Sequence, residues 1–388
     1  MRLFINSLAA SAGGGLTYIR NVLPLLAQEP GLKLTVAISP SLRQEFQGLP
    51  TVEFVESAGS TARRFWQEQS RLPNLIRMSG SHVSLSTGNF ALRRSPVPQI
   101  LLSRNSIYCS GDYYSDLITR GEYRLWVETR LRALLARRSI QWADVTVAPS
   151  QAFADELHRW TGKKIAVIYH GFDRKAFCCT HGALSEDVQR RIAETEGCLR
   201  LLFVSHYNYY RNFETLFKAL PIVRRGLSGR KVTLLLTCTL NSNENPGSYR
   251  AERASALVRE LGVADEIVEL GAVPYHLLHH VYSASDIYVT PAYAETFAHP
   301  LVEAMSSGVP IVASDLPVHR EVCEKSAVYF STFSPEALAH QILQVANVAT
   351  LRREMAEEGQ RRCLDFSWRK HVAQLLSLAE SISRNSAR

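Results

Sequence analysis

The chain has 388 residues, of which 46% are hydrophobic and 21% are charged. These proportions are ordinary for a globular protein, and the length is more than one hydrophobic core usually holds, so the sequence predicts two domains. No apolar run approaches the ~18 residues that a membrane-spanning helix requires. The Cys and His residues also lack the spacing of a zinc site.

Basic residues are concentrated in the N-terminal half. Residues 1–176 contain 22 Lys and Arg against 13 Asp and Glu, a net charge of +9, whereas residues 177–388 have a net charge of −1. This asymmetry predicts an anionic partner for the N-terminal half. A basic helical segment at 121–138 has two interpretations: a helix whose Leu side is buried, which we favour, or a contact with an anionic membrane surface. No nucleic-acid recognition motif is present, so we expect no nucleic acid partner.

Short apolar runs alternate with helical patterns along the N-terminal half. The patterns predict strands at residues 2–5, 32–38, 100–102, 145–148 and 165–169. Gly13, Gly14 and Gly15 predict a turn that leads from the first strand into a helix at 16–28, because glycine tolerates backbone conformations that other residues avoid. This alternation of strands and helices predicts a doubly wound parallel sheet.

The C-terminal half repeats the alternation. Strands are predicted at 201–204, 232–236, 267–270, 287–290 and 311–313, with helices near 212–225, 248–261, 276–284 and 300–307. We therefore predict an α/β protein with two Rossmann-like doubly wound domains facing a central cleft. The domains are placed at 1–176 and 177–367, joined through the polar segment 174–199, and a last helix is predicted near 368–383.

Seven cysteines are present, and none forms a C-x-x-C pair. The first apolar run, at residues 3–5, is too short for a secretory leader. Both observations favour reduced thiols and a cytoplasmic location. A peripheral position at the inner face of a membrane stays open because of the basic N-terminal half.

Two carboxylates stand eight positions apart across a predicted loop-to-helix boundary, with Glu295 on the loop and Glu303 in the first helical turn. Pro300 suits the first helical position, because its ring fixes φ near the helical value and the N–H it lacks would be unpaired there. A helix start carries a partial positive charge that suits a phosphate, and carboxylates beside it can accept hydrogen bonds from sugar hydroxyls. The segment therefore predicts a site for a ligand that contains both phosphate and sugar.

This pattern is followed by Gly308-Val309-Pro310 and a buried strand, and it resembles the E-x7-E motif of retaining glycosyltransferases of family 4, the glycosyl transferases group 1. The resemblance implies the GT-B fold, with a nucleotide-diphosphate sugar in the C-terminal domain and the acceptor in the N-terminal domain. It also implies that helix 368–388 packs back on the N-terminal domain. Glu303 would accept from ribose hydroxyls and Glu295 would be catalytic. The further donor-binding residues would be Thr296, Phe297, Ala298 and Leu301.

Two other segments resemble donor-binding elements of this family. The turn at 13–15 resembles the glycine loop that approaches the donor phosphate, and it lacks the spacing of an NAD or ATP motif. The segment 203–212 resembles G-R-x4-K-N, in which two basic residues neutralise the leaving diphosphate, and here His206 and Arg211 stand at those positions. Arg211 keeps its charge and can fork onto phosphate oxygens, so we expect it to be catalytic as well as donor-binding, whereas a neutral His206 supplies a weaker field.

The His-Asp pair expected after the strand at 100–102 is missing, since the chain reads Ser103-Arg104-Asn105 there. No general base can be assigned. We predict that Asn105 takes part in catalysis and that Arg104 and His82 contact the acceptor. His170 belongs to a segment that resembles the hinge-side H-G-x-D turn of the family, and we expect its role to be structural first.

No D-x-D sequence occurs, and such clustered carboxylates are what usually holds a divalent metal to a diphosphate. We therefore expect no metal and no cofactor, with a nucleotide-diphosphate sugar as co-substrate and electrostatic stabilisation of the leaving group. The resemblance implies a retaining transfer, with front-face departure and attack, to a glycan, lipid-linked or small-molecule acceptor, as in polysaccharide biosynthesis. The base, the sugar and the acceptor are left undetermined.

Two other interpretations stay open. A sugar-nucleotide epimerase can be built on the same fold. A non-catalytic sugar-nucleotide-binding subunit would explain the missing His-Asp pair. Cleavage of a bound donor would separate an enzyme from a binding subunit.

Overall fold

The computed structural model describes residues 1–10, 13–56, 61–178, 182–244 and 249–386, with the side chains of all of these except residues 13, 61–64 and 386. The chain divides into two compact units. The first comprises Met1–Cys109, Trp126–Gly171 and Ser367–Arg388. The second comprises Ser110–Leu125 and Phe172–Phe366.

The first unit is built around a seven-stranded parallel sheet. Its strands are β1 (Arg2–Asn6), β2 (Lys33–Ile38), β3 (Val52–Glu56), β4 (Val83–Ser86), β5 (Gln99–Leu102), β6 (Val145–Ala148) and β7 (Ala166–Val167). They lie in the order β3-β2-β1-β4-β5-β6-β7. Neighbouring strands pair in parallel throughout, for example β1 with both β2 and β4.

The second unit contains a six-stranded parallel sheet. Its strands are β8 (Leu199–Phe203), β9 (Val232–Leu236), β10 (Ile267–Glu269), β11 (Ile287–Thr290), β12 (Ile311–Ser314) and β13 (Ala327–Phe330). They lie in the order β10-β9-β8-β11-β12-β13. Strand β9 is buried along its whole length, as expected where helices cover both faces of a parallel sheet.

The described part of the chain contains sixteen α-helices. In chain order they are α1 (Gly13–Ala27), α2 (Pro40–Arg43), α3 (Thr61–Met78), α4 (Gly111–Thr119), α5 (Tyr123–Trp142), α6 (Gln151–Thr161), α7 (Arg174–Phe177), α8 (Glu186–Ala193), α9 (Phe213–Gly226), α10 (Glu252–Glu260), α11 (Leu278–Ser283), α12 (His299–Ser306), α13 (Pro317–Cys323), α14 (Pro335–Asn347), α15 (Ala349–Arg362) and α16 (Trp368–Ser386). Short 3₁₀ turns lie at Gln44–Phe46, Ser106–Tyr108, Tyr209–Arg211, Ser242–Glu244, Ala264–Glu266, Tyr275–Leu277, Glu324–Ser326 and Cys363–Asp365.

This architecture confirms the predicted α/β class with two Rossmann-like parallel sheets. The glycines predicted as a turn form the first residues of α1. The segment 174–199 holds α7 and α8 as well as the first residue of β8. None of the described helices is both long and apolar enough to cross a membrane. Each of the cysteines that the structure describes in full is free of a disulfide bond.

The segment Ser110–Leu125 belongs to the second unit, although it lies within the N-terminal half of the sequence. Its Arg120 forms ion pairs with Glu214 at 2.6 Å and with Asp116 at 2.8 Å. The hydroxyl of Tyr293 donates to the other oxygen of Asp116 at 2.7 Å. These side chains are largely shielded from water, so the charges need one another and hold the segment in place.

The last helix belongs to the first unit. Its Trp368, Val372 and Leu375 lie in the same buried cluster as the strands β1, β2 and β4. The hydroxyl of Tyr18 on α1 and Nε2 of His371 on α16 are 2.9 Å apart. The chain passes from the first unit to the second after Gly171, a few residues before the predicted boundary at 176.

We expect Gly171→Ala to destabilise the protein. A Cβ at this position would fall inside the contact distance of backbone atoms of Ser367 and Trp368, so the backbone must shift. Overpacking of this kind should lower the free energy of unfolding by roughly 2 kcal/mol or more, measured by urea denaturation. Gly48→Ala is the matched control, because a Cβ at Gly48 meets no atom within 4 Å. Equal stability of the two variants would contradict the packing described for Gly171.

Candidate functional site

The strand order of the second sheet reverses between β8 and β11. In doubly wound sheets, the carboxyl ends of two such strands open a crevice in which ligands bind. The loops that follow β8 and β11 meet there, since the amide of Tyr293 donates to the carbonyl of Tyr210 at 3.0 Å. The fold therefore brings the segments 204–212 and 291–298 together at the edge of the sheet where a ligand is expected.

Arg211 and Glu295 form an ion pair at this edge, with Nη1 of Arg211 donating to the carboxylate. Their side chains are 21% and 11% exposed. Burial by itself raises the pKa of Glu295. The positive charge of Arg211 opposes this effect, and so does the Thr296 amide, which donates to the carboxylate at 3.0 Å, so the pKa of Glu295 is lowered overall. The carboxylate in turn raises the pKa of Arg211 against the effect of burial. Both groups are therefore charged at neutral pH.

The buried Nε of Arg211 has no hydrogen-bond partner among the described residues. A buried guanidinium N–H that lacks an acceptor destabilises the folded protein, unless a ligand atom supplies the acceptor. An anionic oxygen at this position would satisfy the donor without breaking the pair that Nη1 forms with Glu295. The arrangement therefore suits a phosphate group.

Glu303 lies in helix α12 and is 4% exposed. The hydroxyl of Tyr282 donates to its Oε2 at 2.9 Å. Burial raises the pKa of Glu303 to about 7, even though the hydrogen bond from Tyr282 acts in the opposite direction. At neutral pH the carboxyl is thus poised between its protonated and ionised forms, and groups with such perturbed pKa values cluster at functional sites.

The start of helix α12 places the remaining predicted donor-binding residues. Ala298 is the N-cap and has φ of 63°, a left-handed conformation that is unfavourable for a residue with a Cβ. Leu301 is fully buried and its amide donates to the carbonyl of Ala298 at 3.0 Å. The ring of Phe297 is buried and packs against the ring of Phe366, with 5.1 Å between the two ring centroids. These residues shape the helix start through backbone and packing, beside the carboxylate of Glu295.

His206 lies on the same loop as Arg211 but is exposed. Partial desolvation of its ring and the nearby Arg211 charge lower its pKa. The imidazole is therefore neutral at pH 7, and its field toward a diphosphate is weak, as its residue type predicts.

His319 on α13 is a candidate that sequence reasoning missed. It is fully buried, its Nδ1 lies 2.9 Å from the carbonyl of Ser314, and its Nε2 has no partner among the residues that the structure describes. Burial lowers its pKa, while the charges of Glu295 and Arg211 act on it with opposite signs. The only signal in the sequence is a polar residue shortly after the buried strand β12.

The first sheet also reverses its order, between β1 and β4. At this reversal Arg104 donates from Nη1 to the carbonyl of Gly14 at 2.9 Å and from Nη2 to the carbonyl of Thr87. Burial lowers the pKa of Arg104 to about 10. The structure thus brings Arg104 together with the glycines Gly13, Gly14 and Gly15 at the start of α1.

Three other predicted residues lie elsewhere or have local roles. His82 precedes β4, so it lies at the amino edge of the sheet, opposite the edge where Arg104 follows β5. The side chain of Asn105 caps a 3₁₀ turn by accepting from the amide of Ile107 at 3.3 Å. His170 is buried, and its ring packs against Trp368 at 5.7 Å.

The described part of the chain contains no group of three or more His, Cys, Asp or Glu residues placed to hold a metal ion.

Comparison with known proteins agrees with this fold. The glycosyl transferases group 1 profile matches residues 185–362, and the Glycosyltransferase Family 4 profile matches residues 12–176. Sucrose-phosphate synthase from Thermosynechococcus elongatus superposes with a TM-score of 0.75 at 17% identity, covering 98% of this chain and 99% of that one. Anabaena HepE in complex with UDP-glucose superposes with a TM-score of 0.72 at 15% identity, covering 98% and 100%.

Curated relatives match part of their own length. D-inositol 3-phosphate glycosyltransferase from Corynebacterium glutamicum (strain R) is 26% identical over 260 residues, covering 65% of this chain and 60% of the relative. The same enzyme from Corynebacterium urealyticum is 23% identical, covering 69% and 63%. This chain therefore matches about three-fifths of the length of these relatives.

The two parallel sheets and the structural neighbours define the GT-B class of glycosyltransferase folds. Within that class, the chain belongs to the glycosyltransferases of family 4, the glycosyl transferases group 1.

We expect Arg211 and Glu295 to be coupled in stability. Arg211→Gln or Glu295→Gln alone leaves a shielded charge without its partner and should lower the free energy of unfolding by roughly 2–4 kcal/mol. The double variant should lose less than the two single losses together, with a coupling of about 1–3 kcal/mol in urea denaturation. Strictly additive losses would show that the pair does not form.

We expect Glu303→Gln to remove a pH dependence of stability. The folded protein holds the Glu303 proton more tightly than the unfolded chain does, because the pKa rises from 4.5 to about 7. The resulting contribution is present below about pH 4.5 and is lost as pH rises through 7, a change of roughly 3 kcal/mol relative to the Gln variant. Denaturation at several pH values measures it, with exposed Glu354→Gln as the control. A pH profile of Glu303→Gln that parallels the unmodified protein would contradict the shifted pKa.

Proposed function

We propose that the protein is a retaining, metal-independent glycosyltransferase that moves a sugar from a nucleotide-diphosphate donor to an acceptor. The observation that carries the proposal is the Arg211–Glu295 ion pair at the strand reversal, beside the start of helix α12. A donor of this kind combines phosphate, sugar and ribose. The site offers an unsatisfied guanidinium N–H, an ionised carboxylate and a carboxyl with a pKa near neutral.

Glu303 is proposed to bind the ribose of the nucleotide. Hydroxyl groups that donate to a carboxylate favour its ionised form. Because the pKa of Glu303 is about 7 without ligand, donor binding near neutral pH should release a proton. This coupling distinguishes a ribose contact at Glu303 from a purely structural role.

Arg211 and the start of α12 are proposed to stabilise the leaving diphosphate. Negative charge grows on the bridging oxygen as the bond to the sugar breaks, and fixed positive groups lower the energy of that state. The ion pair with Glu295 holds the guanidinium in place before the donor arrives. His206, neutral and exposed, would add a hydrogen bond rather than a full charge.

The carboxylate of Glu295 is engaged by a guanidinium and by a backbone amide. Such a carboxylate is a weak nucleophile, which disfavours a covalent glycosyl-enzyme and favours front-face departure and attack. Retention of configuration follows from that route. The departing diphosphate would then take the acceptor proton, which is consistent with the lack of an assigned general base.

Names of similar proteins support the donor class. Anabaena HepE was solved with UDP and with UDP-glucose. Curated relatives carry the name D-inositol 3-phosphate glycosyltransferase. We therefore propose a nucleotide-sugar donor, with a glycan, a lipid-linked glycan or a small molecule as acceptor. The first unit, with Arg104 at its strand reversal, is the proposed acceptor side.

The experiment is a titration of the whole chain with UDP-, GDP-, ADP- and TDP-sugars by calorimetry in buffers of different ionisation enthalpy. We expect sugars of one nucleotide base to bind preferentially, with release of a proton near pH 7 that is absent in Glu303→Gln.

NMR of the reaction with the preferred donor should show a product that keeps the donor's anomeric configuration, and the rate should be the same when EDTA is added. Inversion, or loss of activity with EDTA, would reject the mechanism. Binding without any cleavage would favour the non-catalytic subunit, and conversion of the donor sugar itself would favour an epimerase.

Arg211→Lys should separate catalysis from stability. Lysine keeps the charge that pairs with Glu295 but lacks the forked donor, so we expect kcat to fall at least about tenfold with a nearly unchanged melting temperature. Arg225→Lys, at an exposed position of α9, is the matched control and should leave kcat unaltered. An equal kcat in the two variants would remove Arg211 from the leaving-group site.

A further inference from the structure

Helix α5 turns its small residues inward and its large apolar residues outward. Thr129, Ala133, Ala136, Ser139 and Ile140 are buried in the first unit. The larger apolar residues lie on the opposite side of the helix and face solvent. The exposed fraction is 50% for Val127, 62% for Leu131 and 60% for Leu134. The expectation that the Leu side of this helix is buried is therefore wrong for Leu131 and Leu134. The small residues let the helix approach the unit closely, which leaves the Leu side in water.

The exposed side also carries the basic residues of the helix. Arg130, Arg137 and Arg138 are exposed, and their helical spacing places them between and beside the three apolar residues. Between residues 126 and 142 the sequence has four arginines and a single carboxylate, Glu128, which lies 3.7 Å from Arg132 in an i, i+4 pair. We name the set of Val127, Leu131, Leu134, Arg130, Arg137 and Arg138 the α5 outer face.

We propose that the α5 outer face docks on the surface of an anionic lipid bilayer. The three apolar side chains would enter the boundary between headgroups and acyl chains, where they leave water. The arginines have long stems and charged ends, so they can extend to lipid phosphates while their carbons stay beside the apolar residues. The excess positive charge of residues 1–176 acts in the same direction over a longer range.

Charge complementarity selects this occupant over a second copy of the chain. In a symmetric dimer the same patch meets itself, so four arginines and one carboxylate of one copy would face the same set on the other. Like charges brought together in this way oppose association. An anionic bilayer offers both the apolar layer and the negative charge that this face requires.

The test needs neither donor nor acceptor, so its result is independent of the proposed glycosyltransferase activity. The whole chain is mixed with vesicles of phosphatidylcholine alone or of equal parts phosphatidylcholine and phosphatidylglycerol, and bound protein is separated by flotation. We expect binding to the anionic vesicles only, weakened by added salt because exposed charges are screened.

Variants of the outer face should lose this binding. Leu131→Glu/Leu134→Glu should bind the anionic vesicles at least about tenfold more weakly, and Arg137→Gln/Arg138→Gln roughly tenfold more weakly. Leu364→Glu is the matched apolar control, since Leu364 is also 60% exposed but belongs to the second unit. Arg369→Gln/Lys370→Gln, an exposed basic pair on α16, is the matched charge control. Circular dichroism verifies that each variant is folded.

Three results would overturn the proposal. The first is equal binding to both kinds of vesicle, or to neither. The second is an equal loss of binding in the outer-face variants and their controls. The third is a dimer in analytical ultracentrifugation that Leu131→Glu/Leu134→Glu dissociates, which would assign the face to a second copy of the chain.

Discussion

The ion pair between Arg211 and Glu295 is the interaction on which the second unit's site depends. Each partner is mostly shielded from water, and a shielded charge is unstable without an opposite one. The two residues follow different strands, β8 and β11, so pairing them fixes two loops at the carboxyl edge of the sheet. The same pair keeps Arg211 charged and Glu295 ionised, while the buried Nε of Arg211 has no acceptor among the described residues.

Sequence patterns predicted the fold class because most strands of both sheets are short, continuous apolar runs between helices. The patterns missed β3, β4 and β13 for separate physical reasons. Strand β3 lies at a sheet edge and reads Val-Glu-Phe-Val-Glu, so it lacks a continuous apolar run. Strand β13 is the edge strand of the second sheet, and it is a run of only four apolar residues that is buried at its two ends alone. Strand β4 reads Val-Ser-Leu-Ser and is buried throughout, and the hydroxyl of its Ser84 lies 3.4 Å from that of Ser95. Because half of its residues are polar, its sequence does not show the apolar run that marks a buried strand.

The candidate site was predictable where its functional residues lie within short local sequence motifs. Glu295, Glu303 and Arg211 stand in local motifs, and the fold places them at one strand reversal or in the helix beside it. Partners that the fold supplies from elsewhere left no such signal, as with Tyr282, which donates to Glu303. The direction of α5 was missed for a related reason: a helix with Leu on one side and Ala on the other can bury either, and only tertiary packing decides.

The placement of Ser110–Leu125 has a consequence for dissecting this chain. The backbone changes unit four times, after residues 109, 125, 171 and 366, so no single cut yields two intact units. A fragment ending near residue 171 would carry Arg120 without Glu214 and would lack the tryptophan, valine and leucine that α16 adds to its interior. In a chimaera assembled from two related chains, residues 110–125 must therefore come from the parent that supplies the C-terminal half. The last helix must come from the parent that supplies the N-terminal half.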